Sequence, residues 1–292
     1  MEDFGNDSIS VRCSVCGSTS DSTFLSFRGF RIARCRSCDF IFVNPRPTEE
    51  ALIRLYSDQQ TNPFLKEHFE PFEYELPVLL KVLRRIRQYV PAGKLLEVGC
   101  GRGDFLGVAQ LQGFSATGCD IFGGRKPVAD GITFYDGTLK DAKFPDRFFD
   151  VVVIRNILEH LFDPTVEINE IKRVLKPNGY LYLKVPNVDF EYGLCCRLMY
   201  HRQYHFDPPY HLNYFSPTSL QRLLEKAQFE FLTWCIEQPT RRSKWSKHLI
   251  RQTVHKVIQT SYFLSGGKLF PKPLLACLAK NMSETTRSAY PQ

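Results

Sequence analysis

The sequence predicts an α/β fold: a parallel sheet with helices on both faces, preceded by a small cysteine-rich module. Three observations carry that expectation. Short apolar runs alternate with helix-like stretches from residue 91 to residue 236, a rhythm that implies parallel strands joined by crossover helices. The apolar run from Leu95 leads through Glu97 directly into Gly99, Gly101 and Gly103, which builds a nucleotide-type pocket at a strand end. Near the N-terminus stand two Cys-x-x-Cys pairs, Cys13 with Cys16 and Cys35 with Cys38.

Taken in order, the cysteines come first. Eighteen residues separate the two pairs, a spacing suited to a four-cysteine zinc site. Each pair sets two thiolates on one tight knuckle, and two knuckles supply tetrahedral sulfur with no position left for substrate, so this zinc would be structural. A disulfide framework fits less well. The chain starts with the acidic MEDFGND, shows no signal-peptide pattern and has further cysteines at 100, 119, 195, 196, 235 and 277, which together point to a reducing, cytoplasmic setting. A segment this short, with few apolar residues, would fold only with its metal. Two helix-like stretches follow, EEALIRLY and ELPVLLKVLRRIRQY, expected to bridge the module to the sheet and to cover a cofactor.

The first core strand ends in the glycines, and a helix is expected over Asp104–Gln110. A dinucleotide fingerprint would place its third glycine where Asp104 stands, so NAD fits poorly. Glu97 would repel a pyrophosphate but suits an ammonium group, such as that of S-adenosylmethionine. The second strand, Phe114–Cys119, delivers Asp120 to a ribose diol. Ile121–Asp130 is too short and too rich in Gly and Pro for a full helix, which leaves the adenine side open. Ile132–Tyr135 is the third strand, and Phe148–Ile154 reads as a fourth, buried on both faces. Thr165–Leu175 carries a helical stripe, which Lys176-Pro177-Asn178-Gly179 stops ahead of a fifth strand, Tyr180–Val185. A helix capped near Ser216 or Thr218 and a last strand, Leu274–Ala279, complete the series.

Taken together, EVGCGRG, Asp120, FDVVVIRNILEHLFDP and EIKRVLKPNGYLYLKVPN resemble the class I S-adenosylmethionine-dependent methyltransferases. The resemblance implies a Rossmann-like, seven-stranded sheet over roughly residues 91–236. It would place Glu97, Gly99, Gly101 and Gly103 on the methionine side, Asp120 on the ribose hydroxyls and Thr138 with Leu139 beside the adenine. Asn156 would sit at the rim near the transferable methyl. FRIARCRSCDFIFVNPRPTEEALIRLY is similar to the zinc-binding module that precedes this domain in deoxysugar C-methyltransferases and their relatives from polysaccharide clusters. Asp39 stands where that module usually has a glycine. The longer sugar C-methyltransferases also carry a third, C-terminal domain, for which 292 residues leave no room.

The expected organisation is therefore a zinc ribbon (1–47), a helical linker or lid (48–90), the cofactor-binding core (91–236) and a basic helical insertion with the final strand (237–292). Charge is uneven: residues 238–282 hold nine Lys or Arg and no acid, against a formal charge of +7 for the whole chain. Trp245, Leu249, Ile250, Val254, Val257, Ile258 and Phe263 recur there in a mainly helical rhythm. That pattern fits peripheral contact with anionic lipid or an acidic glycan, or simply a solvated helix face. No apolar run approaches the ~18 residues needed to span a bilayer, and a basic patch without other support gives no reason to expect a nucleic-acid partner.

Methyl transfer by direct displacement needs an in-line acceptor and a group to take its proton. His160, in LEH after the fourth strand, and His211, in PPYHLNYFSPTSL, are the candidates. His160 also reads as a residue that bonds loop backbone, whereas the resemblance favours His211, because a histidine in a comparable segment lies near the active site of that methyltransferase group. Tyr210 and Tyr214 read as aromatic walls, since a phenol titrates near pH ~10. Asn156 stands at the first position of a Glu-x-x-Glu-His cation pattern, and an amide is a weak ligand for a hard cation, so no second metal is expected. The acceptor implied is a small molecule, a sugar or glycan precursor methylated on carbon or oxygen. O-methylation of a lipophilic or phenolic metabolite is the alternative, favoured if Phe190–Phe215 forms a closed apolar pocket. A third is a zinc-ribbon protein that binds the cofactor without turnover.

Overall fold

The structure is a computed structural model that describes residues 7–57, 72–121, 130–192, 207–235 and 274–282. The basic stretch, apart from its last strand, falls outside the described residues, as do most of the adenine-side segment and of the loop after Tyr192. In chain order the elements are β1 (Ser8–Ile9), β2 (Asp21–Phe27), β3 (Phe30–Cys35), β4 (Ile41–Val43), β5 (Arg46–Pro47), α1 (Glu49–Ser57), α2 (Phe72–Arg87) and β6 (Gly93–Val98). There follow α3 (Asp104–Leu111), β7 (Phe114–Asp120), β8 (Thr133–Asp136), β9 (Phe149–Arg155), α4 (Pro164–Val174), β10 (Leu175–Pro186) and α5 (Val188–Tyr192). The last are β11 (Asn213–Tyr214), α6 (Pro217–Lys226), β12 (Phe229–Cys235) and β13 (Leu274–Asn281).

Seven strands form the main sheet in the order β12-β13-β10-β9-β6-β7-β8. Strands β10, β9, β6, β7 and β8 run parallel, while β13 lies antiparallel between β10 and β12. The sheet is therefore mixed, where strand–helix alternation alone had implied a parallel one. From β6 the chain winds outward through β7 and β8, then returns to add β9 on the other side. This reversal opens a crevice beyond the C-terminal ends of β6 and β9, where open α/β sheets bind ligands.

The FFDVVVI run explains how the sheet is buried on both faces. Val152 and Ile154 join Leu96 and Val98 beneath Ile168, Ile171, Leu220 and Leu223 of α4 and α6. Val151 and Val153 face the opposite way, under Leu79, Leu83, Phe105 and Ala109 of α2 and α3, as the two-residue period of a strand requires. Helix α2 is thus a layer of the core.

Two local departures have simple causes. Strand β10 starts at Leu175, paired with Phe149, and resumes at Tyr180, paired with Val151, so the Lys-Pro-Asn-Gly segment is a bulge within the strand. Asn178 takes the left-handed turn there, at φ 64°, a conformation asparagine tolerates. Helix α6 is capped at Ser216, whose Oγ accepts from the Ser219 amide at 3.1 Å while the Ser219 hydroxyl accepts from the Ser216 amide at 2.9 Å, a reciprocal cap.

The N-terminal strands form a second sheet, β11-β4-β3-β2. Its edge strand comes from the core segment: Asn213 pairs with Phe42 and Tyr214 with Ile41. Phe40 and Phe42 are buried with Phe215 and Leu220, Arg222 donates to the Cys38 carbonyl at 2.9 Å, and Thr165 donates to the Ser14 carbonyl at 2.8 Å. Among the described residues, no helix is long and apolar enough to cross a membrane.

Candidate functional site

The glycine loop leaves β6 in a tight turn. Gly99 and Gly103 have φ values of 69° and 80°, and a Cβ on either would stand 2.2 Å from Ile157 Cδ1 or 2.5 Å from Phe134 Cζ. The close approach that excludes side chains here is thus made by the protein's own Ile157 and Phe134. Gly101 donates its amide to Asp120 Oδ2 at 2.7 Å, tying the loop to the end of β7, and α3 starts directly after Gly103.

Glu97 is 1% exposed. Arg155, at the end of β9, donates to Glu97 Oε1 from Nη2 at 2.8 Å and from Nε at 3.1 Å, while Glu97 Oε2 is buried with no hydrogen bond. Burial pushes this carboxyl up to about 7, against the lowering effect of the Arg155 guanidinium. Glu97 is therefore not a bare anion, as the sequence suggests, but half of an ion pair with one oxygen unmet. An orphaned, buried carboxylate oxygen at the mouth of β6 fits an incoming ammonium group.

The other expected cofactor contacts are placed with varying directness. Asn156 is exposed directly after β9, in a left-handed turn at φ 54°, and its backbone amide donates a hydrogen bond to the Lys184 carbonyl at 2.8 Å. Thr138 donates its hydroxyl to Asp141 Oδ2 at 2.6 Å, so that hydroxyl serves a local turn, and Leu139 is buried in the core with Phe144 and Phe149.

The histidines do meet. The rings of His160 and His211 lie 4.6 Å apart, centroid to centroid, at 72°. His160 Nδ1 is 2.9 Å from the Tyr210 carbonyl oxygen; a carbonyl only accepts, so Nδ1 carries the hydrogen and Nε2 the lone pair. The Tyr56 hydroxyl, from α1, donates to the same carbonyl at 3.2 Å. Burial and the neighbouring His211 push His160 down to about 3, so it is a neutral imidazole. Beside both rings sits Glu159, fully buried, its Oε2 without a hydrogen bond; burial pushes this carboxyl up to about 8.

Backbone bonds hold the two histidine loops together. The Glu159 carbonyl accepts from the Leu212 amide at 2.8 Å and from the Asn213 amide at 3.0 Å. Asn213 Nδ2 donates to the Leu161 carbonyl at 2.7 Å. Arg46, 1% exposed, donates to the Val43 and Phe162 carbonyls and to Asn213 Oδ1, pinning the N-terminal sheet to the same seam.

The four cysteines converge. Cys13 and Cys38 sulfurs are 3.5 Å apart, as are those of Cys16 and Cys35, and all four lie within 4.8 Å of one another. Each knuckle closes with an amide bond, Gly17 to the Cys13 carbonyl at 2.7 Å and Asp39 to the Cys35 carbonyl at 3.0 Å. Gly17 and Asp39 share a left-handed conformation, at 81° and 61°, so Asp39 performs the glycine's turn, which aspartate can adopt. Burial pushes the Cys38 thiol up to about 11 and Cys13 higher still, a cost that a bound cation would remove. Four soft donors in this array fit a tetrahedral ion such as Zn2+.

The sequence does not single out Arg155, Tyr56 or Arg46, and of these only Arg155 leaves a signal, as a charge at the end of a buried strand; Glu159 stands in the sequence as the second acid of the Glu-x-x-Glu-His pattern, whose first position is Asn156.

A family model described as a methyltransferase domain matches residues 72–233, more than half of the chain. Among curated proteins, the chain is 25% identical over 155 residues, 49% of its length and 65% of the relative's, to a ubiquinone biosynthesis O-methyltransferase of Vibrio atlanticus. It is 30% identical over 158 residues, 51% of its length and 56% of the relative's, to a probable S-adenosylmethionine-dependent methyltransferase of Mycolicibacterium smegmatis. The chain thus spans between about half and two thirds of the length of these relatives. In fold it is similar to the crystal structure of a Burkholderia thailandensis 1,6-didemethyltoxoflavin-N1-methyltransferase with bound 1,6-didemethyltoxoflavin and S-adenosylhomocysteine. That match has a TM-score of 0.55 at 12% identity and covers 90% of this chain and all of the other. With its sheet order, its glycine loop and the matched domain in agreement, the chain belongs to the methyltransferase-domain family.

Proposed function

We propose that this chain is an S-adenosylmethionine-dependent methyltransferase that methylates a sugar or glycan precursor, on carbon or oxygen, and that a structural zinc ion holds Cys13, Cys16, Cys35 and Cys38. The observation that supports the acceptor class is the union of the N-terminal sheet with the histidine loops. Strand β11 completes the sheet of that cysteine-rich module, Tyr56 of the helix that follows it donates to the Tyr210 carbonyl, and this is the module that resembles those of sugar methyltransferases. When bound, S-adenosylmethionine would supply a sulfonium methyl open to in-line attack by the acceptor atom, the methyl–sulfur bond breaking to leave a neutral thioether. Glu97 Oε2 takes the cofactor's ammonium group, and Asp120 takes the ribose hydroxyls from its position at the end of β7. Asn156 forms the rim. The acceptor lies between that rim and the His160–His211 pair, where loss of its proton is assisted. Holding the acceptor atom in line does most of the catalytic work.

A second reading, O-methylation of a lipophilic or phenolic metabolite, draws on the similarity to a ubiquinone biosynthesis O-methyltransferase and on the aromatic wall of Tyr56, Tyr210 and Phe162. One assay separates them. Isotope-labelled methyl from S-adenosylmethionine is offered to a cell extract split into nucleotide-sugar, lipid-linked glycan and apolar metabolite fractions, with His211→Ala in parallel. Label in a sugar-containing fraction that His211→Ala abolishes supports the first reading. Label confined to the apolar fraction supports the second, and no label from a protein that binds the cofactor removes both.

A further inference from the structure

We propose that Glu159, His160 and His211 form a second metal site, separate from the four cysteines, that takes a divalent transition-metal ion of the zinc type on the acceptor side of the cofactor pocket. One carboxylate oxygen and one ring nitrogen from each histidine lie within 4.8 Å of one another. Glu159 Oε1 and His160 Nε2 are 3.9 Å apart. That is too long for a hydrogen bond but within the span of one ion with metal–ligand arms of ~2.0–2.2 Å.

Three further features support a cation there. First, the hydrogen bond from His160 Nδ1 to the Tyr210 carbonyl puts the ring's lone pair on Nε2, the nitrogen that lies 3.9 Å from Glu159 Oε1. A backbone carbonyl on the second ring nitrogen is also how metal-bound histidines are usually oriented. Second, Glu159 Oε2 is buried with no hydrogen bond, and no Lys or Arg forms an ion pair with Glu159 among the described residues. Third, the ligands are held in place beforehand: the Glu159 carbonyl binds the amides of Leu212 and Asn213, so the loop carrying Glu159 and His160 is fixed against the loop carrying His211. The pairing of two imidazoles with one carboxylate suits zinc or iron better than magnesium.

The sequence argued against such an ion because Asn156 replaces a carboxylate. The third donor is instead His211, about fifty residues beyond His160, where spacing alone gives no warning. Three protein ligands leave a coordination position open. An acceptor hydroxyl bound there would lose its proton to water more readily, and the electron pair of its O–H bond would form the new bond to the methyl carbon as the methyl–sulfur bond breaks and its pair stays on the thioether sulfur. This last step rests on the transferase reading and narrows its acceptor atom to oxygen; the metal site does not depend on it.

The test uses the purified full chain, its metal content measured by inductively coupled plasma mass spectrometry and its Co2+ affinity by calorimetric titration. Wild type should hold two metal ions per chain. Glu159→Gln and His211→Ala should each hold one, with Co2+ affinity at the second site weakened by more than the ~10–100-fold typical of outer-shell changes. Cys16→Ser should keep the site at Glu159 and lose the other. A single ion that Cys16→Ser abolishes, or a Glu159→Gln protein of native circular dichroism that binds Co2+ as wild type does, overturns the proposal. If Glu159→Gln does not fold, His211→Ala carries the same comparison. Two ions with no label in any fraction refutes the transferase substrate reading alone. Undiminished transfer by protein lacking the second ion refutes its catalytic use alone.

Discussion

Glu97 is buried, paired through one oxygen with Arg155 and unmet at the other, and its folded-state carboxyl is raised from 4.5 to about 7. A raised carboxyl stabilises the fold below its unfolded value and loses that contribution as pH rises through the folded one. Cofactor-free protein should therefore lose about 1–3 kcal/mol of stability from this group between about pH 4.5 and pH 7. Glu97→Gln should flatten that part of the profile, as thermal unfolding across the range would read; an unchanged slope would mean that Glu97 does not titrate there. At this scale the sequence made the positions of Glu97, the glycines and Asp120 legible, because they are fixed relative to the ends of β6 and β7. It did not disclose Arg155 as the partner of Glu97, since the pairing crosses from β6 to β9 and leaves no local pattern.

Where β5, the loop after β9 and β11 meet, the seam depends on one buried guanidinium. Arg46 reaches three oxygens on three segments, and burial lowers its own titration to about 10. Arg46→Met keeps most of the volume but strands buried carbonyls, at an expected cost of about 2–4 kcal/mol. Denaturant unfolding should read that loss, and a variant as stable as wild type would remove Arg46 from the account of how the two sheets are joined. The core strands were legible because their apolar runs are long and bounded by breakers. Strand β11 was not, because two residues carry no period, and neither was the bulge in β10, because a Lys-Pro-Asn-Gly turn looks the same inside a strand as before one.

Across the molecule, the N-terminal module is not an appendage. Its sheet is completed by Asn213 and Tyr214, and Cys13, Cys35 and Cys38 are buried against the same core as α6. Loss of metal at the four cysteines should therefore lower the stability of the whole chain rather than of the module alone. Cys16→Ser is expected to release zinc and lower the thermal midpoint of the whole chain in one transition; a separate early transition with the remainder unchanged would show two independent units. The resemblance implied the seven-stranded architecture and spacing alone the cysteine array, whereas the joining of the two sheets was not legible, because it is made by residues far apart in sequence.

The measurement that bears most directly on the whole account is isothermal titration of the full chain with S-adenosylhomocysteine, alongside Glu97→Gln and Asp120→Ala. One site per chain is expected, weakened about 10–150-fold in each variant, as the loss of a hydrogen bond to a charged group implies. No binding by the folded wild-type protein, or equal binding by all three, would contradict the site described at the ends of β6 and β7.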